Sequence, residues 1–118
     1  MTENKTIIKV KDFINTDKAV SSDDGDILFL RIQEEIKAGG IVELDFAEIS
    51  LLTTAFLNSA IGQLYSVFSS DQLNRYVKLL NVEDEDKVIF KKVISRAKEF
   101  FANRKGFEDA ANSAIYGH

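Results

Sequence analysis

The chain has 118 residues and a net charge of −4, a length that suits one domain with its own hydrophobic core. Hydrophobic residues make up 45% of it and charged residues 29%, near the globular average, which excludes disordered and fibrous proteins. Cysteine is absent and His118 is the single histidine. This composition excludes disulfides, thiolate metal sites and cysteine nucleophiles, argues against Ser-His-Asp triads, and implies no cofactor.

Two segments bear on compartment and membrane association. Residues 1–5 lack the basic stretch followed by an apolar stretch that is typical of a secretory signal. The longest uncharged run, residues 49–70, mixes Thr, Asn, Gln and Ser with apolar residues at helical spacing. That mixture favours a soluble helix over a membrane span. We expect a cytoplasmic protein without membrane contact.

The first half of the chain predicts a strand, a loop and a helix. Alternating polarity favours a short strand over residues 5–10, and the polar segment 15–26 predicts a loop. Ser21 or Ser22 is expected to cap a helix with several aspartates in its first turn, where they face the positive helix end. The helix should end near residue 37, because the following Gly pair, residues 39–40, permits a left-handed stop.

The middle of the chain predicts a strand followed by an amphipathic helix. Ile41–Phe46 is β-branched and apolar apart from two acids, which favours a strand. Thr53 or Thr54 is expected to cap a helix that runs to about Phe68. The predicted buried stripe of this helix comprises Phe56, Leu57, Ala60, Ile61, Leu64, Val67 and Phe68.

The last third predicts one strand and one helix. Residues 75–80 favour a third strand, and residues 84–103 favour an amphipathic helix with an acidic start. Ile41–Phe46 and Tyr76–Leu80 should be adjacent and parallel, since the helix between them is long enough for a crossover. We predict a single α/β domain over 1–118, with about three to four mixed, partly parallel strands covered by helices. Residues 104–118 are expected to form a tail that is either flexible or docked on the domain.

The segment from Gly40 to Leu64 carries a family pattern of a strand ending in Asp-Phe, an apolar turn and a Thr-rich helix start. It resembles the STAS-like domains of unknown function, relatives of the STAS domains of anti-sigma factor antagonists and sulfate transporters, most clearly over residues 24–82. The resemblance implies a non-enzymatic interaction domain from a family often found beside histidine-kinase-like ATPases. It rests on Leu44-Asp45-Phe46, Ile49, Thr53-Thr54, Phe56 and Gly62.

The resemblance also implies a regulatory site. In the anti-sigma antagonists a serine at this helix start is phosphorylated by the kinase that is also the binding partner. Counted from Asp45, Thr54 falls on that serine and Thr53 on the aspartate before it, while Ala55 replaces a serine. Thr54 and, second, Thr53 are the candidate phosphorylation sites, and a phosphate on Thr54 would be favoured by the exposed amides of the helix start. The alternative is that both hydroxyls serve only to cap the helix.

The face opposite the predicted stripe has no charge, unlike most solvent-facing helix surfaces. We predict that this face is an interaction surface for a protein partner or a second copy of the chain. The alternative is that the domain itself covers it, in which case the basic side of the last helix, Lys87, Lys91 and Lys98, becomes the candidate surface. The predicted surface comprises Asn58, Ser59, Gly62, Gln63 and Ser66, with Ala55 beside them.

Other site hypotheses are weaker. Asp45 is expected to bond to loop amides, although a small enzyme or nucleotide-binding domain could use it with Thr53 and Thr54. The acidic run 83–86 lacks the ligand spacing of a calcium loop and favours a charged helix start. Residues 87–118 hold 7 bases against 3 acids, but the negative total disfavours nucleic acid as a partner.

Overall fold

A computed structural model describes the backbone of residues 4–116 and the side chains of residues 4–102. Strands alternate with helices along most of the chain. The strands are β1 (Lys5–Lys9), β2 (Lys18–Ala19), β3 (Ile41–Asp45), β4 (Leu51–Leu52) and β5 (Val77–Leu80). The helices are α1 (Val10–Ile14), α2 (Ser22–Lys37), α3 (Thr54–Ala60), α4 (Ser70–Tyr76) and α5 (Asp84–Tyr116), with a 3-10 helix at Gly62–Ser66.

A parallel sheet of three strands, in the order β1-β3-β5, organises the domain. Ile8, Leu44 and Leu79 are aligned across it and point to the face that the helices cover. Strands β2 and β4 form a separate parallel pair. The pairing of β3 with β5 confirms the prediction that these strands are adjacent and parallel, and the α/β fold class is confirmed.

The core lies between the covered face of the sheet and helices α2, α3 and α5. Phe46, just after β3, meets Phe90 of α5 edge to face, with ring centroids 5.0 Å apart. That contact holds the last helix against the end of the central strand. The largest fully buried side chains are Phe56, Leu28, Ile32, Leu44, Leu57, Leu64, Val10 and Val42.

Helix α2 follows its sequence signals. Ser21 is the N-cap, and its hydroxyl accepts from the Asp24 amide at 3.0 Å. The helix ends at Lys37, and Gly39 adopts a φ of +88°, a conformation that favours glycine. The predicted start, end and stop of this helix are therefore confirmed.

Four predicted boundaries are wrong. The helix after Thr53 ends at Ala60 instead of near Phe68, and a 3-10 helix follows that begins with Gly62. Glycine weakens an α-helix, and the Ser66 hydroxyl bonds back to the Gln63 carbonyl at 2.6 Å, a local alternative to helical continuation. As a result Val67, predicted to be buried, is 42% exposed.

The predicted strand 75–80 starts too early, because α4 extends through Tyr76. A capping box begins α4: the Ser69 hydroxyl accepts from the Gln72 amide at 3.1 Å, and the Gln72 side chain accepts from the Ser69 amide at 2.9 Å. The predicted loop 15–26 likewise contains β2 and the first turn of α2. The predicted end of the last helix near 103 is also wrong, since α5 continues to Tyr116; the flexible tail stays a prediction.

Helices α2 and α3 cross in direct backbone contact at Gly25. A Cβ atom placed on Gly25 would lie 2.6 Å from the carbonyl oxygen of Phe56 and 2.7 Å from Cβ of Ser59. Real Cβ atoms do not approach that closely, and a backbone carbonyl cannot swing aside. Glycine at this position therefore sets how closely the two helices pack.

Gly62 differs from Gly25 in the space around it. It is buried, yet a Cβ atom there would lie 3.8 Å from Cγ1 of Val93 and 3.9 Å from Cβ of Ala97, both on α5. These are ordinary van der Waals distances. A methyl group fits at Gly62 and does not fit at Gly25.

We expect Gly25→Ala to lower the free energy of unfolding by about 1–3 kcal/mol, because the added methyl group forces α2 and α3 apart. Gly62→Ala is the matched control, and we expect it to leave the stability nearly unchanged or raise it slightly. Urea unfolding followed by circular dichroism measures both midpoints. Equal shifts for the two variants would contradict the close-packing argument.

Candidate functional site

Helix α3 begins at a Thr pair whose two hydroxyls have different environments. The Thr53 hydroxyl accepts from the Phe56 amide at 3.2 Å and donates to the Val20 carbonyl at 2.9 Å. The Thr53 amide also donates to the Ala19 carbonyl at 3.1 Å. Thr53 is the N-cap of α3, which confirms that one member of the pair has the capping role.

Thr54 is the first residue of α3 and is exposed. Within residues 4–102 its hydroxyl has no hydrogen-bond partner. Ala55 and Asn58 are exposed beside it, so the start of α3 presents a small uncharged surface to solvent. We call Thr54, Ala55 and Asn58 the α3 surface.

The predicted uncharged face is divided between solvent and the domain's own helices. Ser59 is half-buried against Gly25 of α2, and Gly62 is buried facing α5. The Gln63 side chain donates to an Asp26 carboxylate oxygen at 2.6 Å and to the Ser59 carbonyl at 2.9 Å. Packing inside the domain therefore accounts for these three residues.

The other two residues of that predicted surface, Asn58 and Ser66, are exposed. The interaction surface stays a prediction, and Asn58 is the member that lies next to Thr54. An arginine at buried Gly62 would have to displace α5, so that substitution would test folding instead of binding.

Asp45 lies at the carboxyl end of the central strand β3. One of its carboxylate oxygens accepts from the Ala47 amide at 2.9 Å and from the Asn81 side chain at 2.8 Å. The bond from Asn81 and then that from Ala47 hold the pKa of the Asp45 carboxyl below its usual value, with a smaller contribution from the charge of Lys9. The predicted bond from Asp45 to a loop amide is confirmed.

Glu48 and Lys9 form an ion pair at the same edge of the sheet, with 2.8 Å between Nζ and a carboxylate oxygen. Their hydrogen bond lowers the pKa of Glu48 and raises that of Lys9. Glu48 has a φ of +65° and Asn81 a φ of +58°, a region where non-glycine residues are uncommon. The loops after the parallel strands β3 and β5 thus each carry a residue with left-handed φ at the carboxyl end of the sheet.

A cleft of about 660 Å³ opens at this edge, between the loop after β3 and the start of α5. Glu48 and Asn81 line it together with three residues of the acidic run, Glu83, Asp84 and Glu85. Asp84, Glu85 and Asp86 form the first turn of α5. Within the described residues, no group of three or more carboxylates or histidines is arranged to hold a metal ion. The acidic run is a charged helix start, as its spacing predicted.

Sequence reasoning missed Asn81 and Glu48. Asparagine directly after an apolar strand is a signal for a left-handed residue, because it tolerates positive φ better than most side chains. Glu48 offers no such signal. Its conformation follows from the turn that must return the chain from β3 toward β4.

We expect Asn81→Gly to raise the pKa of the Asp45 carboxyl, because it removes a hydrogen bond to the ionised form while keeping positive φ accessible. Asn15→Gly is the matched control: Asn15 also has positive φ, at +60°, but is not among the residues that donate to the Asp45 carboxylate. Carboxyl carbon NMR titration measures the pKa of Asp45 in each variant. An unchanged pKa in Asn81→Gly would contradict the role of Asn81.

The sign for stability follows from the lowered pKa. A carboxyl whose pKa is lower in the folded state stabilises the fold above its unfolded pKa, and this contribution is lost as pH falls through the folded pKa. After the effect of Asn15→Gly is subtracted, Asn81→Gly should therefore have a lower urea midpoint than the parent at neutral pH. The difference should disappear in acid, where the Asp45 carboxyl is protonated in both proteins.

Among the described residues, no helix combines the length and apolarity needed to cross a membrane.

No curated protein and no solved structure gives a significant match to the chain. The family model described as "STAS-like domain of unknown function (DUF4325)" matches residues 24–87, more than half of the chain. That segment runs from the start of α2 to the first turn of α5 and contains the α3 surface, Asp45 and Asn81. The chain belongs to the family of STAS-like domains of unknown function.

Proposed function

We propose that this STAS-like domain acts by binding another protein, without catalysing a reaction, and that the α3 surface is its contact site. The side chains of Thr54, Ala55 and Asn58 are exposed and carry no charge. A partner can cover such a surface without removing charged groups from water, which is the costly part of forming a protein interface.

The observation that carries the proposal is the division of roles between the two threonines. The Thr53 hydroxyl is used in two hydrogen bonds that hold the start of α3. Thr54 is exposed, and its hydroxyl has no hydrogen bond to any other residue in the part of the chain that the structure describes. A kinase can therefore reach Thr54 without disturbing the N-cap of α3. Modification of Thr53 would break the hydrogen bonds of its hydroxyl that form this cap.

We further propose that phosphorylation of Thr54 regulates binding, as in an antagonist of the anti-sigma type. The γ-phosphoryl group of ATP would be transferred to the Thr54 oxygen, with release of ADP and the hydroxyl proton. The modified side chain would carry a charge of about −1.5 to −2 at the centre of an uncharged contact surface. A partner that buries this surface would then have to bury the charge, so binding weakens.

The family relation suggests a histidine-kinase-like ATPase as the partner, encountered in the cytoplasm. A second copy of the chain is the alternative partner. The rival hypothesis of a nucleotide-binding or enzymatic domain requires Asp45 to act with Thr53 and Thr54. No hydrogen bond within residues 4–102 joins Asp45 to either threonine.

We expect phosphate on Thr54 and not on Thr53 when the purified protein is incubated with ATP and lysate of its native host. Peptide mass spectrometry locates the modified residue. In Thr54→Ala the modification should disappear, because the Thr53 hydroxyl is held by the cap. Phosphate on Thr53, or the absence of phosphate from Thr54 while the partner is active, would contradict the proposed regulation by Thr54.

We expect Thr54→Glu to reduce partner recovery about tenfold when the protein is used as bait, because it places a charge on the contact surface. Its effect on unfolding should stay within about 0.5 kcal/mol, as is usual for exposed positions. Ser70→Glu is the matched control, since Ser70 likewise directly follows an N-cap residue, Ser69 at the start of α4, and lies outside the α3 surface. Equal recovery with both variants would contradict the proposed surface.

A further inference from the structure

A groove of about 540 Å³ lies between the edge strand β5 and helix α5, away from the α3 surface. Its floor is apolar, and its rim is basic. No carboxylate is among the residues that line it. The floor comprises Leu79, Val82, Phe90 and Ile94, and the rim comprises Lys87, Lys91, Ser95 and Lys98.

The rim lysines differ in whether they are already paired. Lys87 donates to Asp84 at 2.9 Å. Lys91 and Lys98 are exposed and have no carboxylate within ion-pair distance among residues 4–102. A protein with a net charge of −4 thus presents two unpaired positive charges beside an apolar groove. This charge pattern is complementary to an acidic ligand with apolar side chains.

The strand that borders the groove has a free edge. In the sheet order β1-β3-β5, strand β5 pairs with β3 on one side, and no described strand pairs with the other side. A free strand edge offers backbone N–H and C=O groups to an added strand. The groove therefore combines main-chain bonding groups, apolar contact area and positive charge along a single line.

A smaller cavity of about 100 Å³ adjoins the groove and shares Leu79 and Ile94 with it. Its remaining lining comes mostly from apolar core residues, Ile61, Leu64, Leu73 and Val77 among them. An apolar side chain of a ligand can thus extend past the groove floor toward the core. A peptide can supply such an apolar side chain, whereas the backbone of a nucleic acid would contact only the lysines.

The spacing of the lysines suits an extended peptide. Lys91 and Lys98 are two helical turns apart, roughly 10.5 Å along the axis at about 1.5 Å per residue. Side chains on one face of a strand repeat every ~6.6–6.8 Å. Two acidic residues on the same face, two or four positions apart, can therefore reach both ammonium groups, since lysine side chains are long and flexible.

We propose that this groove binds an acidic segment of a partner protein, which adds to β5 as a strand. Side chains on the helix-facing side of the segment would be acidic where they pair with Lys91 and Lys98 and apolar where they enter the groove between them. The groove shares no residue with the α3 surface, so this second site is independent of the Thr54 switch.

A displayed library of random peptides tests the chemistry without presupposing a sequence. The library is selected on the wild-type protein and counter-selected on the double variant Lys91→Glu/Lys98→Glu. We expect the surviving peptides to be acidic and to carry both acidic and apolar residues at every second position, so that they share one face of the strand. Failure to enrich peptides, or enrichment of neutral or basic ones, would overturn the proposal.

One selected peptide, made with a fluorescent label, then gives affinities. We expect the Lys91→Glu/Lys98→Glu variant to bind it at least about tenfold more weakly, since two charges are reversed at the rim. The matched control is Lys92→Glu/Arg96→Glu, which reverses two exposed charges of the same helix outside the groove and should change the affinity less than threefold. Equal losses in both double variants would mean that only net charge matters and would overturn the site.

Two further measurements separate strand addition from other modes and from the α3 proposal. Amide hydrogen exchange at residues 77–80 should slow on peptide binding; unchanged exchange would overturn strand addition. A labelled single-stranded oligonucleotide should bind more weakly than the peptide at physiological salt, and tighter, lysine-dependent binding would assign the groove to nucleic acid. Thr54→Glu should keep full affinity for the peptide, so either proposal can fail without the other.

Discussion

The close approach of α2 and α3 at Gly25 is the constraint on which the rest of the structure depends. Phe56 and Ser59 of α3 contact α2 at the one position where α2 has no side chain. The bonds from Thr53 to Ala19 and Val20 hold the start of α3 from the other direction. With α3 held at both points, Thr54 is left on the outside of the domain, and Phe56 and Leu57 are directed into the core.

Packing between helices also explains why the side chains at positions 59 and 62 are small and uncharged. Ser59 has to fit against a backbone, and Gly62 has to lie beneath α5, so charged or long side chains would be costly at both positions. A small-residue face on a helix is thus the signature of close packing inside the domain as readily as of an external interface. In this protein the part nearest the Thr pair is left to solvent, together with Ser66 at the far end of the face.

The two proposed binding sites differ in the physics of recognition. The α3 surface is uncharged and exposed, so a single added charge changes what can be buried against it. The groove between β5 and α5 is apolar with a basic rim, so its selectivity comes from charge complementarity and from the free strand edge. Under these two proposals, the domain would hold one partner continuously while phosphorylation controls binding of the other.

The sequence by itself determined the α/β class, the cap and stop of α2, and the Thr cap of α3, because these depend on local periodicity and on hydrogen bonds between residues close in the chain. It also indicated that β3 and β5 are parallel neighbours, since the helical segment between two apolar strands is long enough for a crossover. It also indicated the family, through the segment around Asp45 and Thr54. Only the tertiary structure decided which threonine is free, that Gly62 is buried, that Asn81 bonds to Asp45, and that Lys91 and Lys98 flank a groove. These features join residues distant in sequence, and a one-dimensional pattern shows which residues are apolar or polar without showing which of them meet.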